Sequence, residues 1–285
     1  MITFELTLES RDDNPGAVEI LKKVLLSFGV SIERIIESVV LDRRFLSLYF
    51  DKLAHAQDFR KKICLLKLKN IRLKVRKWQS KDWKNKWKQD FKPFQLTKSL
   101  KVVPVWLKKD YQRQLEKVVI IDNTMAFGTG QHPTTRFVSE FIEENCQSIE
   151  TLLDVGTGTG ILAIVAEKNG IKKIQAIDMD KYCVQRAASN FEHNKCGAIT
   201  LRRVGLEFFK KVKAFDCVAA NLSTLDLIKY KDKLISLVKP EKYLAISGVS
   251  INNYDMLKKE FRKLPLRCLE IRKSEGWMAF LYQRR

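Results

Sequence analysis

Three residue patterns in this chain have types and spacings that do chemistry. The first is Gly156-x-Gly158-x-Gly160 within "LLDVGTGTGILA", a glycine turn between a strand-like apolar run and a helix-like one. Such a turn lets the backbone approach a bound amino-acid and ribose moiety closely. A dinucleotide fingerprint would continue with a small residue at position 161, where this chain has Ile161, so no pyrophosphate cradle is expected. The second pattern is Asp178, 22 residues after Gly156 at the end of the next strand, "KIQAID". A carboxylate there accepts from both hydroxyls of a ribose. Asp180 reads as the cap of the helix that follows. Turn and strand-end acid together point to S-adenosylmethionine as the cofactor. The third pattern is Asn221, closing "FDCVAAN" at the strand edge where open α/β sheets bind ligands. Its side-chain oxygen can accept from an incoming amine and turn the nitrogen lone pair toward a methyl donor. The alternative is a turn residue capping the helix "STLDLIKY", and the residue types leave both open.

The elements that must position these residues alternate. Strands are expected at "TLLDV", "KIQAID", "ITLRRV", "FDCVAAN", "YLAISG", "RCLEIRK" and "WMAFLYQ", with helices such as "ILAIVAEKNG" and "KYCVQRAASNFEHN" between the earlier ones. That order predicts a mostly parallel sheet closing in a terminal hairpin, the seven-stranded Rossmann-like sheet of class I S-adenosylmethionine methyltransferases. The N-terminal part reads differently. "MITFELTLE", "ERIIESVVLD", "RFLSLYFD" and "NIRLKVRKW" alternate as strands, and "PGAVEILKKVLLSFGV" and "AHAQDFRKKICLL" have helical spacing. The order βαββαβ is ferredoxin-like α+β. In "SKDWKNKWKQDFKPFQL", Trp83, Trp87 and Phe91 recur every four residues along one helical stripe that Pro93 stops, and lysines surround it. The division expected is a recognition domain over 1–77, a basic aromatic linker with a helix over 78–113, and a catalytic domain over 114–285.

Charge is lopsided. Of a net +20, residues 52–113 carry +16, from 20 basic and 4 acidic side chains. Such a stretch suits an anionic partner, RNA or a ribonucleoprotein, although a lysine-rich solvated surface would also produce it. Six cysteines are scattered without a CxxC pair, so reduced thiols, no metal site and the cytoplasm are expected. No apolar run approaches the roughly eighteen residues of a membrane span, and no membrane association is expected.

A ten-residue pattern joins these pieces. "AFGTGQHPTT", residues 126–135, resembles the loop before the glycine turn in the ribosomal protein methyltransferase family called PrmA, which modifies large-subunit ribosomal protein eleven. The resemblance runs through "DWKNKWKQDFKPFQL", "VVPVW", the glycine turn, "AIDMD", "AANL", "ISGVS" and "GWMAF". It implies an S-adenosylmethionine-dependent protein N-methyltransferase acting on lysine ε-amines and the α-amine of a large-subunit ribosomal protein; a monomer is expected. In that family the first loop folds over the cofactor, so two glycine-rich elements grip one ligand. Carried over, Thr135 matches the cofactor-contacting threonine, Gly156 and Asp178 the turn and ribose contacts, and Asn221 the asparagine beside the reacting amine and the cofactor. Phe127 and Gly158 line the same site, Gly128 and Gly130 serve loop geometry, and His132 anchors the loop rather than acting as a base. The chain departs from the family in reading GTGTG for GCGSG and Leu222-Ser223-Thr224 for Ile-Leu-Ala, and in its basic segment. The alternatives are an RNA methyltransferase that grips RNA through residues 52–113, and a ribosome-associated binding protein without turnover.

Overall fold

The computed structural model describes residues 2–10, 21, 22, 24, 25, 28, 30, 36–40, 43–50, 52–66, 71–79, 92–122, 130–210 and 213–285. They belong to two units, Met1–Phe91 and Lys92–Arg285. In the first, β1 (Ile2–Ser10), β2 (Ile36–Val40), β3 (Arg43–Phe50) and β4 (Ile71–Gln79) form an antiparallel sheet in the order β2-β3-β1-β4. Alternation in β1 sends Leu6 and Leu8 into a core with Leu46 and Leu48 of β3, because successive strand side chains face opposite ways. Ile63 of helix α1 (Leu53–Leu65) and the helical residues Leu21 and Leu25 cover that face. On the opposite face, the buried Glu5 accepts from Ser47 Oγ at 2.8 Å and Tyr49 OH at 3.0 Å. Strand β4 keeps Ile71, Leu73 and Val75 against the core and exposes Arg72, Lys74 and Arg76. The stripe expected at Trp83, Trp87 and Phe91 lies outside the described residues.

The segment expected as a linker over 78–113 contributes, in its part from residue 92 on, ordered structure to the second unit. β5 (Phe94–Gln95), β6 (Lys101–Pro104) and β7 (Val118–Ile121) make a small three-stranded sheet. β6 and β7 pair in parallel, which a tight turn cannot connect, and a 3₁₀ stretch over Val105–Lys117 makes the crossover.

The large sheet has the order β10-β9-β8-β11-β12-β14-β13, built from β8 (Thr151–Val155), β9 (Lys173–Asp178), β10 (Ile199–Arg203), β11 (Phe215–Asn221), β12 (Val238–Ser250), β13 (Leu266–Ser274) and β14 (Trp277–Arg284). β10, β9, β8, β11 and β12 run parallel, and β14 is antiparallel to both β12 and β13. Counted within the sheet this is 3-2-1-4-5-7-6, the class I methyltransferase arrangement. The sheet carries helices α2 (Pro133–Asn145), α3 (Ile161–Lys168), α4 (Lys181–Asn194), α5 (Thr224–Lys229), α6 (Lys231–Leu237) and α7 (Tyr254–Phe261). Central strands buried on both faces read as apolar runs, and Val218, Ala219 and Ala220 of β11 are accordingly fully buried.

One polar device links the small sheet to α4. Asn194, buried at the last turn of α4, accepts from the Ile120 N–H at 2.8 Å and donates to the Ile120 carbonyl at 2.7 Å. Its carboxamide thus replaces one residue of a neighbouring strand for β7. Asn194→Ala would leave both buried backbone groups of Ile120 without that partner. We expect a loss of about 3 kcal/mol, read as a lower urea midpoint at unchanged m-value.

Candidate active site

The glycine turn begins where β8 ends. The Gly156 and Thr157 amides both donate to the Ile177 carbonyl, at 2.9 and 3.0 Å, so the turn is pinned to the last residues of β9. Asp178, at the end of β9, accepts from the Gly158 amide at 3.0 Å through Oδ2 and from the Asp180 amide at 2.9 Å through Oδ1. An ionised carboxylate has about four lone-pair sites. The two amides fix its plane, and the acceptor capacity that remains suits a vicinal diol. Gly158 therefore holds Asp178 through its amide. Asp180 caps α4, accepting from the Tyr182 amide at 2.8 Å, as expected.

Behind the turn stands Asp154, which the sequence reading did not single out. It is fully buried on β8, and Oδ2 accepts from Thr157 Oγ1 at 2.6 Å. Oδ1 makes no hydrogen bond of normal geometry among the described residues. Burial pushes this carboxyl up to about 7, against the pull of the Thr157 hydroxyl and the Ala163 amide, and Asp178 raises it further. A buried carboxyl with an unspent oxygen suits a cofactor that carries positive charge. Together with the acceptor sites on Asp178, it fits the ammonium, sulfonium and ribose of S-adenosylmethionine. The available signal was an ionisable residue inside the apolar run "LLDV".

The first glycine-rich loop reaches this site through its two ends. Residues 123–129, with Phe127 and Gly128, lie outside the described residues. At the entry, the Asp122 amide donates to Asn190 Oδ1 at 2.8 Å, and the Asp122 carboxylate pairs with Arg186 at 3.2 Å. The same Asn190 donates from Nδ2 to the Thr159 carbonyl at 2.8 Å. One buried carboxamide on α4 thus ties the entry of the first loop to the glycine turn. At the exit, Gly130 has φ +90°, and a Cβ there would stand 2.8 Å from Ile161 Cδ1. Only glycine allows that close approach to the first residue of α3. Asn190 and Asn194 were missed because an Asn on a helix reads as a solvent-facing residue.

Helix α2 then begins. His132 is its N-cap, with Nδ1 accepting from the Thr134 amide at 3.4 Å and lying 2.7 Å from Thr134 Oγ1. Its ring meets Trp277 edge-on, with centroids 4.9 Å apart. Burial lowers its pKa below the ordinary value, with Glu275 working the other way. These contacts anchor the loop. The buried Thr135 hydroxyl accepts from Asn221 Nδ2 at 3.2 Å. This bond joins residues 86 apart in the chain, and leaves Asn221 Oδ1 as the acceptor of that carboxamide.

Asn221 does not cap the next helix. Ser223 does, accepting from the Asp226 amide at 3.2 Å and donating to Asp226 Oδ2 at 2.6 Å. Thr224 is buried, with its hydroxyl donating toward the Gly248 carbonyl at 3.4 Å. The two hydroxyls that follow Asn221 are therefore used by the backbone around α5. Gly248, at φ +94°, permits this: a Cβ would fall 1.9 Å from the Leu222 carbonyl oxygen. Four large apolar side chains, Met179, Tyr182, Phe208 and Leu225, are exposed just after the ends of β9, β10 and β11. They line the strand edge on which open α/β sheets bind ligands.

A family model described as ribosomal protein L11 methyltransferase (PrmA) matches residues 17–285. A ribosomal protein L11 methyltransferase of Dictyoglomus thermophilum is 31% identical, with 97% of each chain covered. One from Staphylococcus saprophyticus is 28% identical, over 83% of this chain and 78% of its own. The crystal structure of a ribosomal protein L11 methylase from Lactobacillus delbrueckii subsp. bulgaricus is similar with a TM-score of 0.61 at 25% identity, covering 68% of this chain and 100% of its own. The family match takes in both loop ends, every strand of the large sheet and the Thr135–Asn221 pair, and the chain belongs to the ribosomal protein L11 methyltransferase (PrmA) family.

Proposed function

We propose that this chain transfers methyl groups from S-adenosylmethionine to lysine ε-amines, and to the α-amine, of large-subunit ribosomal protein L11. One observation supports the reading above the others: the hydrogen bond between Asn221 and Thr135, which brings the acceptor-side asparagine to the end of the cofactor loop. S-adenosylmethionine supplies an electrophilic methyl group on a sulfonium. Asp178 holds the ribose hydroxyls, Gly156 lets the backbone approach, Asp154 faces the positive charge, and Thr135, Phe127 and Gly158 complete the cofactor site. Asn221 accepts an N–H of the incoming amine through Oδ1, which turns the nitrogen lone pair into the cleft.

The amine must arrive neutral. For a lysine of pKa about 10.4, that costs roughly 4.6 kcal/mol at pH 7. An apolar surround lowers the cost by penalising the charged form, and the exposed Leu225, four residues past Asn221, contributes such a surround. The proton leaves to solvent, and no dedicated base is required. His132 is spent on capping α2. The protein's contribution is then positioning of the two reacting groups.

Substrate capture belongs to the N-terminal unit and the basic segment. The exposed Arg72, Lys74 and Arg76 stripe of β4 meets acidic groups on the target or the ribosomal RNA it accompanies. Family membership favours a protein over RNA as the methyl acceptor. One chain carries every site residue named, so a monomer suffices, and the reaction belongs where ribosomal proteins are made, in the cytoplasm. No helix among the described residues is long and apolar enough to cross a membrane.

Asp178→Ala loses two charge-assisted bonds of about 1.5–3 kcal/mol each, so calorimetry should find cofactor affinity at least about a hundredfold weaker in a folded protein. Unchanged affinity removes Asp178 from the site. Asn221→Ala should lower kcat far more than cofactor affinity, since its bond matters most in the transition state. A proportional loss of both would make Asn221 a cofactor ligand only. Neutralising β4 as Arg72→Gln, Lys74→Gln and Arg76→Gln should raise KM for ribosomal protein L11 about tenfold, flatten its salt dependence and leave cofactor affinity alone. An unaltered KM would move capture away from this stripe.

A further inference from the structure

The closing "GWMAF" motif takes no part in the chemistry above, yet its tryptophan touches the helix that carries Thr135. Helix α2 presents His132, Arg136, Glu140 and Glu144 four residues apart, which places them on one face. Each meets the β13–β14 hairpin. His132 packs edge-on against Trp277 at 4.9 Å. Arg136 pairs with Glu275 at 3.3 Å. Glu140 and Glu144 both hold the guanidinium of Arg272, whose Nε donates to Glu270 at 2.7 Å. The Arg272 guanidinium also lies 4.5 Å from the centre of the Phe141 ring. The hairpin tip is itself fixed, since the Ile251 amide donates to the Gly276 carbonyl at 2.9 Å.

We propose that this hairpin is a strap that sets the position of α2, and through Thr135 the orientation of the Asn221 carboxamide, with Trp277 as its principal positioning residue. The proposal rests on the reading of Asn221 as the residue that orients the acceptor amine. The physical reason for a strap is the weakness of the link it protects. The Asn221–Thr135 bond is one neutral hydrogen bond at 3.2 Å, partly open to solvent. By itself it fixes neither the rotation nor the axial position of a thirteen-residue helix. The strap acts at both ends of α2. Trp277 buttresses the N-cap, three residues before Thr135, and Arg272 grips the last turns by a two-carboxylate fork. Rotating α2 about its axis would break all of these contacts together, so the helix has one seat on the hairpin. The two faces of α2 then divide the work: one is held by the hairpin, and the other presents Thr135 to the end of β11.

The test uses full-length enzyme with Trp277→Leu, Trp277→Phe, Asn221→Ala and the Trp277→Leu/Asn221→Ala pair. kcat is measured on ribosomal protein L11 and cofactor affinity by calorimetry, at a temperature where circular dichroism finds each variant folded. Trp277→Leu is expected to lower kcat between about ten- and a hundredfold, a larger loss than in cofactor affinity. Trp277→Phe keeps an aromatic edge on His132 and should recover most of kcat. In the Asn221→Ala background, Trp277→Leu should cost nothing more, because the group it positions is gone. A tryptophan that merely stabilises the fold would lower Tm and leave kcat intact. Unchanged kcat in Trp277→Leu, equal losses for Phe and Leu, or additive losses in the pair overturn the strap and leave the Asn221 reading standing. Wild-type turnover in Asn221→Ala overturns both. Should Trp277→Leu fail to fold, Arg272→Gln at the far end of the strap carries the same expectations and the same pairing with Asn221→Ala.

Discussion

The arrangement at the ligand edge of the large sheet depends on where helix α2 lies. α2 starts at the exit of one glycine-rich loop, ends near the small sheet, and carries the threonine that meets Asn221. Besides the hairpin, α2 has contacts on other faces. Glu143 accepts from the Thr97 hydroxyl at 2.6 Å and from the Lys98 and Ser99 amides at 3.0 and 3.1 Å, which locks α2 to the turn before β6. Those hydrogen bonds hold Glu143 below the usual carboxylate range, against the effect of burial. Val138, Phe141 and Ile142 pack inward as the apolar part of the same helix.

Two buried carboxyls on adjacent strands illustrate how the sheet divides stability from chemistry. Asp216 opens β11 at the edge away from the glycine turn. Burial would raise its pKa, but Lys239 at 3.0 Å and the Thr151 hydroxyl and amide at 2.8 and 2.9 Å reverse the effect, and Asp216 sits below its ordinary value. Asp154, near the other end of β8, has one hydroxyl at hydrogen-bonding distance and rises to about 7. Asp154 lies deeper than Asp216 and has been given fewer donors, and both differences push the two carboxyls apart. A saturated carboxylate ties strand ends together. The under-supplied one stands at the carboxyl ends of parallel strands, where α/β sheets bind ligands.

The paired asparagines of α4 serve a related purpose. Asn190 and Asn194 are one helical turn apart and both buried. Each uses both ends of its carboxamide, one on Asp122 and Thr159, the other on Ile120. A buried amide with both ends engaged costs little and accepts few alternative geometries. The entry of the first loop, the glycine turn and the edge of β7 are thereby indexed to one helix face. An apolar pair would fill the same volume without specifying that register.

The sequence by itself determined the order of strands and helices in the large sheet and the closing hairpin, and it singled out Gly156, Asp178 and Asn221 as candidates. These were legible because they rest on local rules: apolar runs for strands buried on both faces, a glycine turn after a strand, an acid at a strand end, and a loop whose residues resemble one family. Only the tertiary structure decided that Asn221 meets Thr135 instead of capping α5, that Ser223 takes the cap, and that the residues from 92 onward build a sheet in place of a linker. It also decided the contacts of Asp154, Asn190 and Trp277. The Asn221, Asn190 and Trp277 contacts join residues at least 31 apart in the chain, and a hydrogen bond or ring contact between distant residues leaves no periodicity or spacing in a single chain. Burial decides the rest. The same Asp or Asn is a solvated residue on a surface and a fixed, unspent or doubly engaged group inside, and only the packed fold says which.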